Sequence, residues 1–347
     1  MLKKIFIIMF IGILVGCFSS KTFAENNSGE VISNRYFSLT VPKEVKNMYK
    51  TEKMDKGIYI CEKISTKSGE GGFAFALKIY REPKDYADME KVRKIGELVD
   101  KKGTIYDMVL IRPTEIRYGE GKTIEENYSR LYKLGDNIEI NGVNGYKYFK
   151  NQGVKGENLY NEILKKYKTA MENNWSSPQF KDEGLGCIYP SLSKSTKKLL
   201  KKIGYTYYDI NDDGIDELII GEISEGKSKG IIYDIYTMVD RKPAHVVSCK
   251  EKEKFFVCDD NFIWNEYPPE RSEKIAGVFI LKNNSTEIFP KVMFIYDTKL
   301  NKKTPWFISY GRNGNLESVS QQVFNERKDL FTEFKKFDYI PLNKFDK

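Results

Sequence analysis

The sequence predicts an α+β fold in two domains: an N-terminal sheet closed by a helix, then a β-rich antiparallel domain with flanking helices. Three observations carry this. The 347 residues suit about two domains, at roughly 150 residues each. Short alternating apolar runs, bounded by Gly, Asn, Asp and Pro, recur along most of the chain. Apolar residues at helical spacing are confined to a few stretches, such as Ile124-Tyr128-Leu131 and Leu164-Tyr167-Met171. Hydrophobic residues at 40% and charged residues at 31% provide real cores and exclude a disordered polyelectrolyte. The formal net charge of +8 is spread with both signs mixed, which argues against a nucleic-acid partner.

The N-terminus reads as an export signal. Lys3 and Lys4 precede the uncharged run Ile5–Phe18, too short to span a bilayer as a helix but suited to a signal-peptide core. The run ends in Leu14-Val15-Gly16-Cys17, which resembles the bacterial lipobox. That resemblance implies cleavage after residue 16, lipid on Cys17 and a membrane-anchored, extracytoplasmic protein. Thr22-Phe23-Ala24 before Glu25 offers a second cleavage reading, under which the protein is secreted. Residues 17–33 carry no helical or strand period and read as a tether.

Domain one is expected over 34–150. Tyr36–Val41, Gly57–Cys61, Gly72–Tyr80 and Tyr106–Ile111 alternate as strands, with Phe73, Phe75, Leu77 and Ile79 on one face. Thr123-Ile124-Glu125-Glu126 reads as a capping box opening a helix whose apolar stripe is Ile124, Tyr128, Leu131 and Tyr132. This layout resembles extracytoplasmic PsbP-like α/β modules. Residues 151–157 read as a linker, and domain two is expected over 157–347. It opens with a helix carrying Tyr160, Ile163, Leu164, Tyr167 and Met171, then a lysine-faced helix over 194–203 stopped by Gly204. Strands follow to about Tyr310, and a last helix is expected over 317–337.

One motif carries chemistry. Asp209-Ile210-Asn211-Asp212-Asp213-Gly214-Ile215-Asp216-Glu217 reads D-x-N-x-D-G-x-x-E. Calcium takes six to eight oxygens, and side chains at positions 1, 3 and 5 (Asp209, Asn211, Asp213) can converge where the chain curls. Gly214 serves the turn, the Ile215 carbonyl can coordinate, and Glu217 can close the shell. Asp212 and Asp216 fall between the ligand positions and are expected to face water. Position 12 is Ile220, so an EF-hand is disfavoured, and the apolar flanks read as strands. The loop is similar to the β-flanked calcium loops of integrin-type FG-GAP repeats. Together with Ile231–Tyr236 it also resembles a group of bacterial lipoproteins and secreted proteins with no assigned reaction. A metal-free Asx turn is the simpler alternative. The loop lies far along the chain from the first sheet, so calcium is expected to stabilise the second domain alone.

The single histidine, His245, excludes histidine-rich zinc sites and HExxH chemistry, and reads as a half-buried strand residue. A hairpin near Lys250–Glu253 is expected to place Cys258 opposite His245, which leaves Cys249 and Cys258 as thiols. Paired acids such as Asp259-Asp260 point oppositely on a strand and make poor glycosidase pairs. The function expected is therefore a calcium-stabilised, lipid-anchored envelope module that binds an extracellular partner. The alternative is an envelope hydrolase using carboxylates, whose mark would be a concave pocket with two converging acids.

Overall fold

Alternation decides the first two sheets. In the computed structural model, which describes residues 29–156, 158–186, 201–226, 230–250, 253–267 and 274–345, nine strands precede residue 151. They are β1 (Glu30–Ser33), β2 (Phe37–Val41), β3 (Tyr49–Met54), β4 (Gly57–Glu62) and β5 (Phe73–Tyr80). Then come β6 (Val92–Val99), β7 (Ile105–Ile111), β8 (Glu139–Gly142) and β9 (Lys147–Lys150). The antiparallel order is β1-β2-β8 in one sheet and β3-β4-β5-β7-β6-β9 in the other. Glu30–Ser33 lies within the expected tether, yet it pairs with Ser38–Val41 as an edge strand.

Phe75, Leu77 and Ile79 of β5 are fully buried on one face, as their spacing predicts. They share one hydrophobic cluster with Leu39 of β2 and with Tyr128 and Leu131 of α2 (Lys122–Asn137), which follows the short α1 (Lys63–Ser68). The expected capping box is not made. The helix starts two residues earlier, behind Gly121 at φ 124°, with no side-chain cap, because the burial of Ile124 and Tyr128 fixes the helix whatever its first turn does.

Two further helices, α3 (Asn161–Glu172) and α4 (Ser177–Asp182), lead into the third sheet. Its strands are β10 (Ile203–Tyr208), β11 (Glu217–Glu222), β12 (Ile232–Val239), β13 (Lys242–Ser248), β14 (Lys254–Val257) and β15 (Ile263–Glu266). They continue as β16 (Lys274–Leu281), β17 (Ile288–Tyr296), β18 (Trp306–Tyr310), β19 (Glu317–Val319) and β20 (Ile340–Pro341). The order runs β19-β18-β17-β16-β15-β14-β12-β11-β10-β20, with β13 paired to β12. Leu218 and Ile220 of β11 pack under α3, while Ile219 packs on the opposite face. Burial on both faces explains why this strand is an unbroken apolar run.

Local expectations change at the start of β10, at the C-terminal helix and beyond β13. A helix does end at Lys202, but Gly204 is no left-handed cap; it pairs with Gly221 and Pro341 inside β10. The lysine face at 194–200 lies outside the described residues. The expected 317–337 helix is only α5 (Gln321–Asp329), capped by Ser320, because Glu317–Val319 completes the sheet edge and Phe324 alone plugs the core. Phe334 instead stacks on Phe256, and Cys258 bridges to Phe334. Glu253 N donates to the Lys250 carbonyl at 2.9 Å, but β14 pairs with β12 and not with β13, so Tyr236 and not Cys258 stands opposite His245. Cys61, Cys249 and Cys258 are buried free thiols.

The second face of the six-stranded sheet meets the large sheet through charge. Lys94 is buried and its Nζ lies 2.9 Å from both Glu97 and Asp107. Asp107, fully buried, also accepts from the Tyr86 hydroxyl at 3.1 Å and from Arg241 of the β12–β13 turn at 3.1 and 3.3 Å. Arg241 further donates to the Arg81 carbonyl at 2.6 Å. None of the hydrophobic clusters spans both sides of this seam. Lys94→Ala strips the buried acids of their central cation and should cost about 3–5 kcal/mol. Arg241, partly exposed, should cost less when truncated. A urea midpoint for Lys94→Ala within error of wild type would contradict this account.

Candidate metal centre

Tyr208 and Glu217 form the last register pair of β10 and β11, so residues 209–216 are the hairpin connection between two strands. Strands flank the motif, as its apolar neighbours predict. The loop closes on its own amides. Gly214 N donates to Asp209 Oδ2 at 2.9 Å, Asp213 N to Asp209 Oδ1 and Asn211 Oδ1 at 3.2 Å each, and Ile215 N to Asp213 Oδ1 at 2.8 Å. Glu217 is fully buried, with Oε2 accepting from Ile210 N at 2.7 Å and Oε1 from the Thr237 hydroxyl at 2.9 Å.

Three acids are thus withdrawn from water together. Burial, and then the charge of Asp212 and Asp216, push Asp209 up to about 6. Burial and the Asp209 carboxylate push Asp213 up to about 7, and burial with the Asp213 charge lifts Glu217 well above the usual carboxylate range. Without a cation these groups resist ionising side by side. The donor set is hard: carboxylates, an amide oxygen and a backbone carbonyl, which suits calcium better than zinc or copper. The side chains surround the turn without closing on one point. Among the described residues no group of three or more His, Cys, Asp or Glu is arranged to hold an ion.

Asp212 faces water as expected, its side chain 75% exposed and its Oδ1 3.9 Å from Arg93 Nε. Asp216 does not. Its side chain is 14% exposed and accepts from Gly156 N at 3.0 Å, with Lys155 Nζ at 3.5 Å. Its amide donates to the Val154 carbonyl at 2.8 Å, and its carbonyl accepts from the Tyr160 hydroxyl at 2.8 Å. The residue between ligand positions therefore fastens the 151–156 segment.

The loop is also tied to the first sheets, against the expectation that it concerns only the C-terminal half. A bulge at Ile95 breaks the β6–β7 ladder. The Lys94 amide then donates to the Asp213 carbonyl at 2.6 Å. Gly214, at φ +89°, lies against this strand, and a Cβ there would overlap the Lys94 carbonyl oxygen.

A second polar cluster was not anticipated. Asp234 is fully buried and accepts from the Tyr167 hydroxyl at 2.8 Å, from Ser248 Oγ, and from His245 Nε2 at 3.1 Å. The Tyr167 and Tyr236 hydroxyls are 2.8 Å apart, and Gly186 N donates to Tyr236 at 2.9 Å. Burial and the nearby Asp234 and Tyr236 hold the Tyr167 hydroxyl far above its ordinary pKa. Ser248 Oγ lies 2.8 Å from His245 Nε2. A catalytic triad turns the two imidazole nitrogens to different partners. Here one nitrogen faces both the serine and the acid, and the serine itself bonds the acid, so the geometry is that of a structural tie. The signal in the sequence was a lone acid inside Ile231-Ile232-Tyr233-Asp234-Ile235-Tyr236.

A groove of about 700 Å³ beside β7 is lined by Glu90 and Glu115, but both side chains stand exposed and Glu115 is paired with Arg117. No family model, curated protein or solved structure matches the chain.

Gly214→Ala should destabilise by about 3 kcal/mol or more, combining left-handed strain with the clash against β6. Gly226→Ala, at φ +65° with open space around it, should cost only about 1 kcal/mol. Equal losses in thermal or urea melts would show that contact with Lys94 does not matter.

Proposed function

We propose that the chain is a lipid-anchored, extracytoplasmic protein of two domains, 34–150 and 157–347, in which a structural calcium ion sits in the 209–217 loop. It serves as an envelope-associated module that binds an extracellular partner. The observation that carries the calcium reading is the placing of buried Asp213 and Glu217 with half-buried Asp209 in one loop, their ionisation opposed by desolvation and mutual charge. A divalent ion placed among them removes that opposition. Small side-chain rotations away from the loop amides would free Asp209, Asn211 and Asp213 oxygens for it, with the Ile215 carbonyl and Glu217 completing the shell.

The two-domain reading is supported by the segregation of apolar clusters on either side of the charged seam. Lipid anchoring rests on Leu14-Val15-Gly16-Cys17, which lies outside the described residues. Among those residues no helix is long and apolar enough to cross a membrane.

Calcium at about 100 times its dissociation constant adds roughly 2.7 kcal/mol to the folded state. Calorimetry of the full chain with millimolar calcium and with chelator should show that shift. Asp209→Ala and Asp213→Ala should abolish it, while Asp212→Ala retains it. Because Lys94 and Asp213 share a backbone bond, the stabilisation should extend to the unfolding of the first sheets. Identical melts with calcium and chelator would leave the loop as an acidic turn.

Cys17→Ser should abolish incorporation of a fatty-acid probe and release the protein from membranes. A mature wild-type N-terminus at Glu25 would replace the anchor with simple secretion.

A further inference from the structure

Between the two halves, beside the acidic loop and partly lined by its Gly214, lies a crevice of about 110 Å³. Its floor is apolar, formed by Leu110, Ile138 and Ile140, and its rim is basic. Arg93, Lys150 and Lys155 line it, together with the buried Lys94. Lys94 is committed to Glu97 and Asp107, and the one acid in the lining, Asp136, is neutralised by Arg112 at 2.9 Å. The rim cations are less spent. Lys150 has no ion-pair or hydrogen-bond partner among the described residues. The Arg93 guanidinium makes no hydrogen bond among them, and its nearest acid, Asp212, is 3.9 Å away. Lys155 has a single contact with Asp216 at 3.5 Å.

We propose that this crevice binds a phosphate-type oxyanion. Size selects the class: about 110 Å³ suits a compact group of a few heavy atoms and falls short of the roughly 300–1,000 Å³ of pockets that enclose a drug-sized ligand. Charge selects the sign, since low-dielectric walls under three cations focus a positive potential. Donor chemistry selects the geometry, because a guanidinium fork and two ammonium groups present several N–H donors to a tetrahedral anion. The site follows from the Ile95 bulge. It interrupts β6 at Lys94–Gly96, just past Arg93, and Lys150 pairs with β6 at Gly96, so both cations line the same crevice. The rim is solvent-exposed, so affinity is expected in the millimolar range and falls with salt. Either free phosphate or the phosphodiester of a lipid headgroup or polymer carries this chemistry.

The test is titration of the full chain in calcium-free buffer with inorganic phosphate and, separately, with dimethyl phosphate. Ionic strength is matched with chloride, and binding is read by calorimetry or ³¹P line broadening. Saturable binding of at least one form is expected, and the stronger of the two identifies the source. Lys150→Ala and Arg93→Gln should each weaken binding by about fivefold or more, with melting temperatures in chloride unchanged because neither side chain holds the fold. No saturable binding of either form, or binding unchanged in both variants, would overturn the proposal. Calcium plays no part in these readings, so the outcome is independent of the loop's metal.

Discussion

The backbone bond from the Lys94 amide to the Asp213 carbonyl is the constraint around which the two halves are arranged. A regular β6 would spend that amide within its own sheet. The single extra residue at Ile95 frees it, and the chain beyond Asp213 must then lie against β6, which only glycine at 214 allows. The Lys94 side chain meanwhile enters the seam and gathers Glu97 and Asp107, on which Arg241 closes from the other side. One residue thus fixes register, loop position and charge balance at once.

Buried carboxylates recur in this protein, and their partners separate them by role. Asp107 meets a lysine, an arginine and a tyrosine; Asp234 meets a tyrosine, a serine and a histidine. Each is supplied with donors, so each can be buried at tolerable cost. Asp209, Asp213 and Glu217 have backbone amides and one hydroxyl, and otherwise one another. Among these three clusters, several acids crowd one another without a bonded cation at that place alone, which is why a cation reading belongs there and a structural reading belongs to the other two.

The seam is polar where most internal contacts are apolar. A polar interface contributes little net stability for the charge it buries, but it fixes one relative placement of the parts. It also leaves basic side chains on a crevice wall instead of filling the space with apolar ones. The basic crevice and the seating of the acidic loop against β6 both belong to this polar junction of the sheets.

The sequence by itself determined the elements whose signal is periodic. Strands β2, β4, β5 and β7 of the first half, the α2 stripe of Ile124, Tyr128 and Leu131, and the strand–loop–strand form of 205–220 follow from alternation, helical spacing and turn residues, all of which act locally. It also marked Asp212 as an outward-facing position. The tertiary structure alone decided where distant groups meet. Asp216 looked free because its partners, Gly156 and Tyr160, are about 60 positions away, and Gly204's place in a strand was hidden because its strand partners come from 221 and 341. The residues 317–337 read as one helix by composition, but the sheet edge claimed the first three and the aromatic core claimed Phe334. His245 and Ser248 lie three apart in the chain, yet what they do is set by Asp234, eleven residues before the histidine on the neighbouring strand. Pairing between strands and compensation between buried charges are long-range terms, and no local window of sequence contains them.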